Sequence, residues 1–263
     1  ESSASTIAML LRFCLIFGLH SIVVSAETIP KQLRLERCNF KDSNFQECLL
    51  HAIKDAFPKL RNGVPSIGIP RLDPIEILEM SLQQGQDKQA LSLNLKFKNM
   101  KLEGVTETIT LSNFKFDKNT LTLSSNSVNA GPIVVKGKYQ AKGRLLAVPV
   151  DGGGDFKFDL YNVSTSVAMY FKEVVRKGTK YWDLVKLDYD IHDIGKTIVK
   201  LDNLIRGNKA LDSSLNQSIN ENSKELEPSI RPAFSKAIRL FFTEAMQRFF
   251  KKLPLEEIMD GVK

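Results

Sequence analysis

The chain has 263 residues and a net charge of +7, length enough for one large domain or two small ones. Its basic residues (Lys96, Lys98, Lys101, Lys115, Lys136, Lys138, Lys157) are scattered and mostly alternate with apolar ones, as on solvated strand faces. With no basic-aromatic motif this argues against a nucleic-acid partner, while a basic surface suits a transient contact with an anionic membrane or a receptor.

Residues 1–26 are expected to lie outside the fold. Met9 to Ala26 reads MLLRFCLIFGLHSIVVSA, with one basic residue (Arg12), an apolar run and Val24-Ser25-Ala26 as a small-residue cleavage signal. This is the pattern of a secretory signal peptide, with Met9 as the start and residues 1–8 an upstream remnant. The run is short, and His20 and Ser21 interrupt it, which argues against a membrane anchor. Residues 27–263 then form a single secreted, extracellular domain. The leader takes Arg12 and Glu1 with it, so the net charge is unchanged, and it takes Cys14. Cys38 and Cys48 remain, an even and closely spaced pair that in an exported chain is most simply one disulfide. A metal or redox pair is the weaker alternative, because C-x-x-C spacing is absent. Asn162-Val-Ser164 and Asn216-Gln-Ser218 are glycosylation sequons.

In chain order, an irregular arm over 27–41 leads to a helix capped by Asp42 or Ser43. Its apolar positions are Phe45, Cys48, Leu49, Ala52, Ile53 and Ala56, and Pro58 and Gly63 end it. Prolines at 65, 70 and 74 make Gly63 to Pro74 an extended, edge-like run. Strand signals begin at Leu91, where Leu91, Leu93, Leu95 and Phe97 alternate with polar residues. Similar runs follow at 105–116, 119–129, 132–140, 144–150, 155–163, 165–176, 180–191 and 196–204. Turn chemistry separates them, including Lys142-Gly143, Asp151-Gly-Gly-Gly154 and Asp193-Ile-Gly195, and predicts an antiparallel meander.

From Leu211 to Lys252 the apolar residues return to a helical period, and the apolar set widens towards Phe250. At ~1.5 Å per residue the stretch reaches ~60 Å if unbroken. Pro228 and Pro232 predict a kink or break near 226–231. So apolar a helix needs wrapping, and a long series of strands with one apolar face each needs a partner. The fold class is therefore α+β, a long C-terminal helix wrapped by a highly curved antiparallel sheet, with a short N-terminal helix.

Catalytic chemistry is poorly supplied. His51 and His192 have no histidine or cysteine at ligand spacing, so no metal is expected. Gly63-x-x-Ser66-x-Gly68 is not a nucleophile elbow, and no catalytic residue is assigned. What the chain has in excess is apolar interior, with sixteen phenylalanines. Imperfect filling of a roll around a helix leaves an elongated apolar tunnel for a small hydrophobic ligand. Its lining is expected from Ile69, Leu72, Phe97, Phe114, Leu146, Phe158, Phe234, Ile238 and Phe241. Tyr139, Tyr170 and Trp182 complete the lining and, with Ser66, are candidate polar anchors.

Ordered motifs carry a resemblance. After the cysteine pair come G-x-P-x-x-G-I-P-x-L-D-P (Gly63 to Pro74) and G-K-Y-Q-A-K-G-R-L-L-A-V-P-V (Gly137 to Val150). L-D-N-L (Leu201 to Leu204), L-N-Q-S-I-N-E-N (Leu215 to Asn222) and R-P-A-F (Arg231 to Phe234) follow. Together they resemble the takeout / juvenile-hormone-binding protein family of insect secreted carriers, over essentially the whole of 27–263. The resemblance implies a TULIP-like super-roll related to half of a bactericidal/permeability-increasing or lipid-transfer protein. It implies a carrier of a terpenoid, juvenile-hormone-like or fatty ligand with no enzyme activity. A membrane-engaging lipid-transfer or lipopolysaccharide-binding protein on the same fold is the alternative reading and a secreted hydrolase a distant third, and a monomer without a cofactor is expected. The resemblance also implies that Cys38 and Cys48 form the family's N-terminal disulfide and that the Tyr139 hydroxyl faces the ligand. The juvenile-hormone carriers proper have a second disulfide with no cysteines here, which favours the takeout-like branch. Pro228 departs from the family pattern and implies a sharper bend in the helix.

Overall fold

The computed structural model describes residues 29–84, 91–145 and 148–262; the expected leader and Leu146 lie outside them. The fold is α+β. Helix α1 (Phe45–Lys59) is followed by strands β1 (Ile75–Gln84), β2 (Leu91–Glu103), β3 (Ile109–Asp117), β4 (Thr122–Asn129), β5 (Ile133–Leu145), β6 (Val148–Arg176) and β7 (Thr179–Leu201). Helices α2 (Lys209–Glu221), α3 (Ser223–Lys252) and the single-turn α4 (Leu255–Ile258) close the chain. Cys38 and Cys48 are joined, with their Cα atoms 5.8 Å apart, so α1 is tied to the arm before it.

The sheet is antiparallel throughout but is not a simple meander. β6 and β7 form one long ribbon, paired from Phe156 with Leu201 to Arg176 with Thr179. The other edge of β6 takes β5 along residues 148–160 and β4 along 163–170. β2 and β1 extend from β5, and β3 extends from β4. The runs expected at 144–150, 155–163 and 165–176 are therefore largely one strand, and those at 180–191 and 196–204 another. Lys142-Gly143 and Asp193-Ile-Gly195 are strand interior, as is Asp151-Gly-Gly-Gly154. The three glycines answer a packing need rather than a turn. A Cβ on Gly152 would lie 2.1 Å from the Asn203 carbonyl oxygen, and one on Gly154 would lie 2.6 Å from that of Asp202. Gly153 N–H donates to the Asn203 carbonyl at 3.1 Å, so the backbone after β7 lies directly on β6.

Asparagines supply the bending. Register shifts fall between Lys98 and Lys101 and between Ser112 and Lys115, around Asn99 (φ 51) and Asn113 (φ 50). An extra residue bends a strand and turns the following side chains over, and asparagine enters the left-handed region more readily than most residues. The buried set accordingly changes parity in β2, from Leu93 and Phe97 to Met100 and Leu102. The same device hid β1. Its inward residues Ile75, Ile77, Met80 and Leu82 change parity where β1 passes the Asn99 bulge, so no clean alternation marks the strand.

The helical stretch breaks at Asn222, not at 226–231, and both prolines lie inside α3. Pro228 and Pro232 withhold the main-chain donors that would reach the carbonyls of Lys224 and Pro228. The helix nevertheless runs on, with Phe234, Ile238 and Ala245 buried along it.

The helices also finish the free edge of β7. Asn220 accepts from Val199 N–H (2.7 Å) and donates to the Val199 carbonyl (2.8 Å). Asn216 does the same at Leu201, both at 2.8 Å. The rise over four helical residues (~6 Å) nearly matches two strand residues (~6.7 Å), so amides four apart on α2 meet alternate residues of β7. Farther along, Ile191 N–H donates to Ser235 Oγ at 3.0 Å, Lys224 Nζ donates to the Ile194 carbonyl at 2.6 Å, and Arg231 donates to the His192 carbonyl. An edge that would otherwise template aggregation is thus closed by side chains.

The segment from Gly63 to Pro74 is not a continuous extended run. It holds a 3-10 turn, Pro65–Ile67, and a bridge between Val64 and Ile69. Gly68 (φ 82) abuts α3, where a Cβ would lie 2.9 Å from that of Arg248. Buried Asp73 accepts from Gly104 N–H at 3.0 Å and from Thr106 Oγ1 at 3.2 Å, pinning the segment to the loop after β2.

Candidate functional site: an apolar cavity beneath the long helix

Between α3 and the sheet lies a cavity of ≈ 150 Å³. Its strand walls include Leu93, Leu95, Phe97, Val135, Phe158, Val163, Ile191 and Val199. The helix contributes Leu226, Ile230, Phe234, Ile238 and Phe242, one residue every fourth position, which places them on one face. The non-aliphatic, non-phenyl groups of the wall are few: Tyr189, Thr197, Ser223, Glu227 and Arg231. Ser223, Glu227 and Arg231 are again four apart, forming a polar stripe on the first turns of α3.

Of the expected lining, Phe97, Phe158, Phe234 and Ile238 meet at this cavity. The others go elsewhere. Ile69 and Leu72 pack with Val64, Ile67 and Leu253 in a separate cluster, and Phe241, outside the cavity lining, packs against both this cluster and the one around the cavity. Phe114 and Trp182 belong to an aromatic core at the far end of the roll. Trp182 is 4% exposed and stacks on Phe116 and Phe171 at centroid distances of 5.5 and 5.3 Å. Tyr170 points outward, 37% exposed, with Lys186 Nζ 5.4 Å from its ring centroid. Ser66 is exposed, and its carbonyl accepts from Lys252.

Tyr139 is buried, but its hydroxyl donates to the Asp202 carbonyl at 2.9 Å rather than facing the cavity. Burial, then the charges of Asp212 and Asp202, push its pKa well above the ordinary phenol value. The phenol on the cavity wall is Tyr189. Burial raises its pKa to about 12, opposed by a hydrogen bond with Thr165. Sequence alternation missed Tyr189 because Val185 is an extra residue opposite the Tyr170–Phe171 step. Inward positions are even at Trp182 and Leu184 but odd at Leu187, Tyr189 and Ile191.

Glu227 was also missed. It is 6% exposed, and its Oε1 accepts no hydrogen bond among the described residues. Arg231 Nε stands 3.4 Å away as an ion-pair partner. Burial raises the pKa of Glu227; Arg231 and Lys224 oppose the rise, and Asp193 adds to it. The sequence signal was a glutamate at the helical repeat of the apolar face, one residue after Leu226.

A second, open groove of ≈ 280 Å³ is lined by Lys96, Lys98, Lys138, Arg206 and the three glycines of β6. Lys96, Lys138 and Arg206 are answered by Glu79, Asp155 and Asp151. His51 is exposed and paired with Glu36, which raises its pKa by hydrogen bond and by charge. His192 Nε2 lies 2.7 Å from Ser166 Oγ on the exposed face. No group of three or more metal-ligating side chains occurs among the described residues, and no helix there is long and apolar enough to cross a membrane. Asn162 is exposed with φ 53. Asn216 Nδ2, the atom a glycan would occupy, donates to the carbonyls of Leu201 and Asp212 at 2.8 and 3.0 Å.

The family model described as haemolymph juvenile hormone binding protein matches residues 12–260. The circadian clock-controlled protein daywake of Drosophila melanogaster is 26% identical over 249 residues, 90% of this chain and 91% of that protein. Its Drosophila yakuba counterpart is 27% identical over 238 residues, 85% of this chain and 86% of the other. The crystal structure of Epiphyas postvittana Takeout 1 superposes with a TM-score of 0.69 at 25% identity, covering 85% of this chain and 99% of that one.

Proposed function

The chain belongs to the haemolymph juvenile hormone binding protein family, and on that premise we propose that it is a secreted carrier of a small hydrophobic ligand held in the cavity beneath α3. The observation that carries this reading is the cavity itself, whose walls are almost wholly Leu, Ile, Val and Phe. A void of about 150 Å³ with so few polar groups on its wall takes a ring-sized apolar group readily. A longer terpenoid or acyl chain enters by displacing lining side chains such as Phe234 and Phe242. Export is supported by the leader-like residues 9–26 and by the Cys38–Cys48 disulfide, a bond that persists in oxidising compartments. The reading takes residues 27–263 as one monomeric domain without enzymatic turnover, and any membrane or receptor contact as transient.

The test uses the full chain expressed with its leader in insect cells. The expected result is a processed protein in the medium, native mass spectrometry showing an extractable apolar adduct, and saturable binding of Nile red. Val163→Phe, which grows a ring into the cavity, should weaken Nile red binding at least tenfold in a protein that still folds. Absence of adduct and of Nile red binding in the wild type would overturn the carrier reading.

A further inference from the structure

Glu227 is an expensive residue to keep where it is. A buried carboxylate oxygen that receives no hydrogen bond forfeits its hydration without replacement. Its neighbours do not repair the loss. Arg231 Nε, at 3.4 Å, is an ion-pair partner without hydrogen-bond geometry, and the same guanidinium donates to the His192 carbonyl. Lys224 is turned to Asp193 Oδ1 at 3.1 Å and to the Ile194 carbonyl at 2.6 Å. Glu227 lines the cavity wall near the start of α3, where Ser223 and Arg231 also line it, and a ligand that shifts the lining side chains would meet its unbonded, closely covered Oε1.

We propose that Glu227 is the polar anchor of the ligand site, accepting a hydrogen bond from a hydroxyl at one end of an otherwise apolar ligand, so that the carrier selects alcohols over the corresponding acids. The proposal rests on the carrier reading above and adds the chemical class of the ligand. A hydroxyl fits because it supplies the donor that the Oε1 atom lacks and brings no second charge into an apolar wall. A fatty carboxylate does not fit, since two carboxylates at hydrogen-bond distance resist joint ionisation. Arg231 does not rescue it, being already engaged by Glu227 and His192. An ether or hydrocarbon leaves the acceptor as orphaned as before. Ser223, one turn earlier, gives the hydroxyl oxygen a second group to meet.

The experiment is displacement of Nile red from the processed wild-type protein at pH 8 by decanol, methyl decyl ether and decanoic acid, repeated with Glu227→Met and Glu227→Gln. In the wild type, decanol should compete at least tenfold better than the ether and the acid. Glu227→Met should erase the preference for decanol over the ether and reduce the discrimination against the acid. Glu227→Gln, which keeps an acceptor oxygen without the charge, should retain much of the alcohol–ether difference while relaxing the rejection of the acid. Circular dichroism and Nile red binding establish that each variant is folded with its cavity intact. Equal competition by all three compounds in the wild type, or an alcohol preference unchanged in Glu227→Met, sinks the anchor and leaves the carrier standing. Failure of the wild type to bind Nile red or any of the three compounds sinks both.

Discussion

One end of the roll is filled and the other is hollow, although the same alternation of apolar and polar residues builds both. At the filled end, rings arrive from six elements: Phe40 from the arm, Phe45 from α1, Phe116 from β3, Phe171 from β6, Trp182 from β7 and Phe250 from α3. They interlock edge to face and in stacks, with Phe40–Phe45 centroids 5.1 Å apart and Phe171–Phe250 centroids 4.7 Å apart. At the hollow end the rings Phe97, Phe156, Phe158 and Phe234 gather together. Much of the remaining wall is branched aliphatic, too short to bridge from sheet to helix. The filled end is also clamped by α1 and its disulfide, whereas the hollow end presents the polar stripe of α3. Apolar patterning thus decides which residues face inward, and side-chain reach decides whether the interior closes.

The sharpest way to break this contrast is Trp182→Ala. Removing a ring packed on both sides should cost about 3–5 kcal/mol in urea unfolding, while the folded fraction keeps its affinity for Nile red. A parallel loss of affinity would mean that the two ends are not separate. Phe234→Ala should cost less, about 2 kcal/mol, because that ring already faces a void, and it should widen the range of chain lengths that displace Nile red. Asn220→Ala removes two hydrogen bonds from the edge of β7. About 1–2 kcal/mol should be lost, with hydrogen exchange accelerating first at the Val199 amide.

The smallest effect is the dependence on pH at Glu227. A carboxyl whose pKa is raised in the folded state binds more protons folded than unfolded. Its contribution therefore falls as pH rises from the ordinary carboxylate range through the raised folded value, and then levels. Arg231 and Lys224 soften the cost and Asp193 adds to it. Glu227→Met should thus be more stable than wild type by about 1 kcal/mol at pH 8, with the gap narrowing towards pH 4 in paired thermal melts. A gap that widens on acidification would reverse the assignment of Glu227 as a buried, poorly solvated carboxyl.

Much of the architecture was legible in the chain. The period of 211–252 marked the helical element, the alternation from Leu91 marked strands, and the cysteine pair marked a disulfide. The motifs carrying the family resemblance acquire physical roles: Asn216 and Asn220 close a sheet edge, Asp73 pins a loop, and Asp202 receives the Tyr139 hydroxyl. The candidate site was less legible. Four of the named lining residues meet at the cavity, while Trp182 and Tyr170, equally apolar or aromatic in sequence, sit in a packed core and on the outer face.

The difference has a definite cause. Periodicity is a property of neighbours along the chain, so the sequence by itself determined element type, the inward set within each unbroken run, and the need for a wrapped helix. Bulges at Asn99, Asn113 and Val185 invert that inward set by one residue, and an inversion is invisible until a partner strand fixes the register. Tertiary structure alone decided that the roll fills at Trp182 and stays open beneath Phe234. It also decided that the helix breaks at Asn222 while tolerating its prolines. And it put Glu227 on the wall of an apolar cavity with one oxygen that accepts no hydrogen bond among the described residues, because what surrounds a side chain is set by elements far apart in sequence.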